Sequence, residues 1–97
     1  MHASVRKYKV DQGKMDQLSQ RISDTFVPRV SEAPGFAAYY VVDAGNGILI
    51  TVTVGDDPEI VERSTEMAAE FVRDELADIE IERVEAAHGD VTVSHAA

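Results

Sequence analysis

The sequence contains no cysteine, and this absence excludes disulfides, thiolate metal sites and cysteine nucleophiles. It also has no apolar run close to the roughly 18 residues that a membrane-spanning helix needs. Its first ten residues are too few and too charged for a signal peptide. The sequence therefore predicts a cytoplasmic protein without a membrane among its partners.

Positive charge is scarce in this chain. Nine lysines and arginines stand against 18 aspartates and glutamates, so the formal net charge is -9. This balance opposes binding to nucleic acids, whose phosphates select basic surfaces. Arg6, Lys7 and Lys9 still form a local basic cluster that could receive an anionic small molecule, although a solvated surface of mixed charge is the commoner arrangement.

The chain length suits one small domain, 1–97, with a modest core. A weak first strand is predicted over 3–10, and an amphipathic helix follows from Lys14, with apolar residues three or four positions apart. Pro28 cannot donate a backbone hydrogen bond, so we expect this helix to kink or end near Phe26.

The second half of the chain has one clear helix start. Asp57 can cap a helix whose first residue is Pro58, and the apolar spacing continues to about Leu76. A final strand is predicted near 79–86, followed by a break at His88 and a further extended piece.

Two apolar runs, 36–42 and 48–54, flank a turn at 45–47, and neither run keeps a polar face. The first run has no charge, and the second has only two threonines as polar members. A loop of two or four residues would place Tyr39 and Thr51 on opposite faces, which is the expected arrangement. A loop of three residues would bring them to the same face.

The order β, α, β, β, α, β predicts a ferredoxin-like α+β fold, in which a four-stranded antiparallel sheet carries both helices on one face. We expect the first and last strands to be central. The other face of the sheet would then be an uncovered apolar patch, larger than monomers usually tolerate. A second copy of the chain, packed sheet against sheet, would cover it, so the sequence predicts a homodimer.

Several short motifs shape the kinked helix, the sharp turn after it and the hairpin: Tyr8 to Val10 with Asp11 and Gly13, Phe26 to Pro28, Pro34 to Phe36, Tyr40 to Asp43, and Gly89 to Val91. With them the chain resembles the dimeric α+β barrel proteins and, among these, the small antibiotic-biosynthesis-monooxygenase-like (ABM-like) proteins. The resemblance implies a homodimer with a small cavity between sheet and helices. It also implies oxygenation of phenolic or polycyclic aromatic substrates without flavin, metal or other cofactor.

The chain departs from two branches of that family. The quinone-forming members use tryptophan, which is absent here. The haem-degrading members need tryptophan, an asparagine on the first strand and a histidine on the second helix, and this chain has none of the three. Haem degradation is therefore not expected.

Arg6 and Tyr8 share a parity on the first strand, and a buried arginine needs a partner such as a ligand's oxyanion. If the chain is an enzyme, we expect Arg6 and Tyr8 to orient a phenolate and His88 to remove its proton. The same residues fit other roles, since Arg6 could pair with a glutamate at the sheet edge and His88 could lie in an exposed loop. The candidate ligand-binding residues are Tyr39, Tyr40, Thr51, Met67 and Phe71, which also suit ordinary core packing.

No metal site is predicted, because no helical or strand spacing brings two of the three histidines together. Two alternatives to an enzyme stay open. The first is a dimer that binds or senses a ligand without turning it over. The second is a dimerisation module whose filled core leaves no ligand cavity.

Overall fold

The structure, a computed structural model, describes all residues from 1 to 97. The chain folds in the predicted order, and the ferredoxin-like α+β class is confirmed. None of the helices combines the length and apolar composition that a membrane crossing requires. The strands are β1 (His2–Val10), β2 (Phe36–Gly45), β3 (Ile48–Gly55) and β4 (Ile81–Asp90), and the helices are α1 (Met15–Arg21), α2 (Val27–Val30) and α3 (Pro58–Glu75).

The four strands form one antiparallel sheet in the order β2-β3-β1-β4. The central strands are therefore β1 and β3, and the expectation that the last strand is central was wrong. Each helical connection skips one strand: β1 to β2 passes over the place of β3, and β3 to β4 passes over β1. As a result β4 is an edge strand, paired only with β1.

The first helical stretch runs through α1 and α2 without ending at the proline. A π-helical turn over Ile22–Phe26 joins them, and the backbone N–H of Val27 donates to the carbonyl of Ile22. This wider turn is consistent with the lack of a donor at Pro28, which follows immediately. The predicted disturbance is present, but the helix ends at Val30 rather than near Phe26.

The start of α3 follows its prediction closely. The side chain of Asp57 accepts a hydrogen bond of 3.1 Å from the backbone N–H of Ile60, with Pro58 as the first helical residue. The helix ends at Glu75, one residue before the predicted limit. Its buried side packs onto the sheet through Val61, Ser64, Ala68 and Phe71.

The hairpin between β2 and β3 pairs its strands as a three-residue loop would, and not in the expected way of a two- or four-residue loop. A two-residue turn at Asn46 and Gly47 is present, but the register shifts between Asp43 and Gly45. This bulge adds one residue to β2 and has the effect of a three-residue loop. Tyr39 therefore lies opposite Thr53 and shares the helix-facing side with the buried threonines.

The two faces of the sheet differ in what covers them. On the helix side, Leu49 of β3 packs into a core with Leu18, Phe26 and Phe71. On the other side no element of the chain covers the sheet. Large apolar side chains there are exposed, among them Val5 at 43%, Tyr40 at 58% and Val42 at 45%.

The last strand is continuous through His88, so the predicted break at this residue was wrong. The irregularity lies earlier, where the pairing between β1 and β4 shifts between Lys7 and Tyr8. Beyond the shift, His88 pairs with Ser4, two pairs from the end of the β1–β4 ladder at which His2 meets Asp90. His88 is thus held on a strand and does not lie in a loop.

Candidate functional site

Arg6 is the most unusual side chain of the sheet. It lies on the central strand β1, is only 1% exposed and has no carboxylate partner. Its Nε donates to Thr51 Oγ1 at 3.2 Å and its Nη2 to Thr53 Oγ1 at 3.1 Å. Its Nη1 has no hydrogen-bond partner within the chain. The alternative of an ion pair with a glutamate was therefore wrong, and a buried cation keeps an unused donor.

One of the two threonines that accept from Arg6, Thr53, is also hydrogen-bonded to α3. Ser64 of α3 donates from its hydroxyl to Thr53 Oγ1 at 3.3 Å. Thr53 is fully buried and Ser64 is 2% exposed. This link fixes one end of the guanidinium between the sheet and α3, which limits the directions that its unused donor can take.

Two histidines meet beside Arg6, although they lie at opposite ends of the sequence. His2 Nε2 is 3.0 Å from His88 Nδ1, and His2 Nδ1 is 3.2 Å from Asp90 Oδ1. The antiparallel pairing of β1 with β4 explains the contact, because it sets His2 opposite Asp90 and Ser4 opposite His88. The premise that no two histidines meet was wrong, since strand register joins residues that sequence spacing separates.

The hydrogen bonds favour one arrangement of protons in this group. A carboxylate only accepts, so Asp90 selects the tautomer of His2 that carries its proton on Nδ1. In neutral His2 the Nε2 is then an acceptor, and His88 donates to it from Nδ1. This leaves the lone pair of His88 Nε2 available to take a proton from a ligand.

Arg6, His2 and His88 line one cleft of about 310 Å³ between α3 and the strands β1 and β4. This volume lies at the small end of the range for ligand pockets. The remaining lining residues are Ser4, Pro58, Val61, Glu62, Thr65, Ala86 and Ala87. A buried cation and a pair of imidazoles at one recess can bind an acidic oxygen and accept its proton.

A second recess lies deeper, between the centre of the sheet and the helices. Its volume of about 30 Å³ leaves room for about one water molecule, and 11 of its 12 lining residues are hydrophobic. Four of the candidate site residues, Tyr8, Tyr39, Thr51 and Phe71, line it. Here they form a filled core rather than an aromatic-sized cavity.

Tyr39 illustrates the character of this inner region. Its ring packs on Phe26 with the ring centroids 5.3 Å apart. Burial raises the pKa of the Tyr39 hydroxyl above its usual value of 10.0, and the positive charge of Arg6 opposes that rise. The hydroxyl is therefore neutral around pH 7.

The remaining candidates lie apart from the cleft. Tyr40 is on the open face of the sheet, and Met67 lines a shallow recess on the other side of α3 with Arg29 and Glu70. The structure thus brings Arg6 and His88 together and separates them from Tyr40. Sequence reasoning missed His2, whose shared parity with Arg6 on β1 was the one available signal.

Comparisons with solved structures place this architecture among ABM-like and dimeric ferredoxin-like proteins. A putative antibiotic biosynthesis monooxygenase from Chloroflexus aurantiacus J-10-fl matches with a TM-score of 0.71 and 18% identity, over 98% of this chain and 96% of that one. A monooxygenase from the gene ActVA-Orf6 of Streptomyces coelicolor, in complex with nanaomycin D, matches with 0.73 and 12%, over 99% and 91%. A dimeric ferredoxin-like protein from an uncultured marine organism matches with 0.73 and 14%, over 99% and 97%.

No family model matches the sequence, and no curated protein matches it closely enough to count as a relative. The structural matches, all below 20% identity among those three, show a shared fold. The chain has the fold of the ABM-like proteins, as the resemblance of its motifs implied. Its chemistry depends on the residues of its own cleft.

Proposed function

We propose that this protein binds a small aromatic molecule that carries an ionisable hydroxyl group, in the cleft between α3 and the strands β1 and β4. The observation that supports this most is Arg6, a buried cation that lines the cleft and whose Nη1 has no hydrogen-bond partner within the chain. A phenolate or enolate oxygen is the partner that this donor lacks. His88 lines the same cleft, and its imidazole would take the proton that ionisation releases.

We further propose that the protein is a homodimer joined through the open face of the sheet. Val5, Tyr40 and Val42 stay exposed in one chain, and burying them would add to a marginal core. The marine ferredoxin-like neighbour is described as dimeric, which supports a dimer here without specifying its interface. The candidate cleft lies on the helix side, so this assembly leaves its floor intact.

The reaction that best fits such a site is the oxygenation of a phenol to a quinone without a cofactor. One phenol and one O₂ give one quinone and one water: the ring C–H becomes C=O, and O₂ accepts four electrons. His88 would take the phenolic proton, and Arg6 would stabilise the oxyanion until it passes an electron to O₂. Tyr8, two residues from Arg6 on the same face of β1, does not line the cleft, so it would contact only a ring that extends past Thr65 toward β4.

Oxygen uptake tests the enzymatic proposal. The dimer is incubated with a panel of hydroxylated anthrones and naphthols, and oxygen consumption is followed together with quinone absorbance. We expect one O₂ per quinone, and a loss of at least about tenfold in Arg6→Met and His88→Phe. Arg73→Met, at an exposed site on α3, is the control. Consumption at the buffer rate for every compound would remove the enzymatic version.

One feature favours binding without turnover as the second candidate. His88 is exposed to solvent, and oxygenation of a reactive phenolate benefits from a site that excludes water. A non-catalytic binder would be stabilised against heat by the same aromatic compounds without consuming oxygen. A thermal shift that disappears in Arg6→Met, with no oxygen uptake, would establish that reading.

A further inference from the structure

Two of the arginines, Arg6 and Arg83, differ from the others in having no ion pair with a carboxylate. The chain has six arginines and twice as many acidic as basic residues, so a carboxylate partner is easy to find. Four arginines have one within 4 Å, whereas Arg6 and Arg83 have none. The four pairs are Arg21 with Asp78 at 2.7 Å, Arg29 with Glu75 at 2.9 Å, Arg63 with Glu59 at 3.9 Å, and Arg73 with Asp74 at 3.0 Å.

The two unpaired arginines lie on the same side of the sheet. Arg83 on β4 stands opposite Tyr8, and Arg6 is two residues before Tyr8 on the same face of β1. Two residues of a strand span roughly 7 Å. The two arginines therefore lie on neighbouring strands, two positions apart in register, on the helix side of the sheet, although one is buried and the other exposed.

Arg83 lines a recess of its own that adjoins the candidate cleft. This recess has a volume of about 270 Å³ and is otherwise mostly apolar, with Ala68, Ala69 and Val72 of α3 along one wall. Thr65 lines both this recess and the cleft of Arg6. Small alanine side chains leave space along the wall, which suits a flat aromatic body.

We infer that Arg83 binds a carboxylate on the same ligand whose ionised hydroxyl is held by Arg6. The inference rests on the proposed function and narrows it: the ligand is an elongated aromatic acid. Its hydroxyl end lies in the cleft, its rings lie along the alanines of α3, and its acidic end reaches Arg83. Arginine suits this role because its planar guanidinium can pair with a carboxylate through two parallel hydrogen bonds.

The charge around the two recesses supports an acidic ligand. The whole chain carries a formal charge of -9 and should repel a ligand with two negative groups. Yet the two linings together contain two arginines against the single carboxylate of Glu62, and the carboxylate of Asp90 lies outside both linings, 3.2 Å from His2 Nδ1. The cleft of Arg6 and the adjoining recess of Arg83 thus form one groove, which is locally basic on an acidic molecule.

Two matched compounds test the inference by direct binding: 1,8-dihydroxyanthraquinone and its 3-carboxylic acid. We expect the unaltered protein to bind the acid about three- to fivefold more tightly than the parent, as fits an exposed ion pair. Arg83→Gln should remove this preference and leave the affinity for the parent unchanged. Arg83→Lys should keep part of it, and Arg73→Gln, at an exposed arginine outside the groove, should keep all of it. Raising the salt concentration should shrink the preference.

The outcomes separate this inference from the function on which it rests. If the unaltered protein binds both compounds equally, or if Arg83→Gln keeps the preference, Arg83 does not read a carboxylate, while binding in the cleft stands. If Arg83→Gln weakens both compounds alike, its role is general and the inference is wrong. If neither compound binds, the proposed function and the inference fail together.

Discussion

His2 and His88 are separated by 86 positions in the chain, and their ring nitrogens lie 3.0 Å apart. The contact arises because both ends of the chain enter the same antiparallel ladder, β1 with β4. It joins the two imidazoles to Asp90 on one side and to the cleft of Arg6 on the other. Histidines at both ends of the chain thus depend on one strand register.

This contact predicts an energetic coupling between the two histidines. His2→Ala, His88→Ala and the double variant are compared by urea unfolding near neutral pH. We expect a coupling free energy of about 0.5–1.5 kcal/mol, the usual net value of one hydrogen bond. If the losses of unfolding free energy in the two single variants add up to the loss in the double variant, the two rings are not hydrogen-bonded to each other in solution.

The sequence was sufficient for the element order and for the cap of α3, because both depend on local residues. It was insufficient for the strand order and for the hairpin pairing, because neither is local. One extra residue in β2, at the bulge between Asp43 and Gly45, reversed the predicted face of Tyr39 relative to Thr51. Because successive side chains of a strand point to opposite faces of the sheet, one inserted residue reverses the predicted face of every residue beyond it.

For the candidate site, too, the sequence was sufficient for local features and insufficient for contacts between distant parts of the chain. The shared parity of Arg6 and Tyr8 correctly predicted that they lie on one face of β1, and that follows from alternation along a strand. That His2 belongs beside Arg6 and His88 could not be predicted, because the contact requires the register between the two ends of the chain. The lack of a carboxylate near Arg6 is likewise a property of the folded chain alone.

Replacing Arg6 is predicted to weaken ligand binding without lowering the stability of the fold. In Arg6→Met the apolar side chain keeps much of the volume and removes a buried cation with an unpaired donor. We expect the free energy of unfolding to stay the same or rise by about 1–3 kcal/mol, while binding of 1,8-dihydroxyanthraquinone weakens at least tenfold, by about the worth of a charged hydrogen bond. Urea unfolding and fluorescence titration measure the two quantities. A variant that unfolds easily would instead mean that Arg6 is a structural residue.

Tyr39 predicts a loss of stability at high pH. Burial raises the pKa of its hydroxyl above the usual value of 10.0, so the folded state holds this proton more tightly than the unfolded state. The resulting stabilisation is fully present below pH 10 and is lost as the pH rises through the pKa of the folded state. Unfolding measured from pH 9 to pH 12 should therefore show a decline that Tyr39→Phe makes shallower. An identical decline in both proteins would contradict the assignment.

The tip of the hairpin offers a matched pair of glycines. Gly45 and Gly47 both have positive φ angles, 82° and 75°, so alanine is strained at either position, by about 1–2 kcal/mol. A Cβ at Gly47 would lie only 2.5 Å from the carbonyl oxygen of Val10, whereas a Cβ at Gly45 meets nothing within 4 Å. We expect Gly47→Ala to lower the free energy of unfolding by at least about 1 kcal/mol more than Gly45→Ala. If both variants lose the same unfolding free energy in urea, the backbone of β1 moves at Val10 to make room for the new Cβ.

The open face of the sheet predicts that one charge placed on it will break the proposed dimer. Val42 is 45% exposed in a single chain, and a second copy would bury it. Val42→Glu would place an unpaired carboxylate in that contact, which is costly to desolvate. Sedimentation velocity at micromolar concentration should therefore show dimers for the unaltered protein and monomers or unfolded chains for the variant.

A control separates the interface from the simple effect of added charge. Val93 lies in the segment after β4 and is 86% exposed, so Val93→Glu adds the same charge away from the sheet. We expect it to sediment as the unaltered protein does. A stably folded monomer of the unaltered protein at the same concentration would overturn the dimer, because the apolar face would then be tolerated in water. The proposed cleft would survive that result, since its floor of Arg6, His2 and His88 comes from one chain.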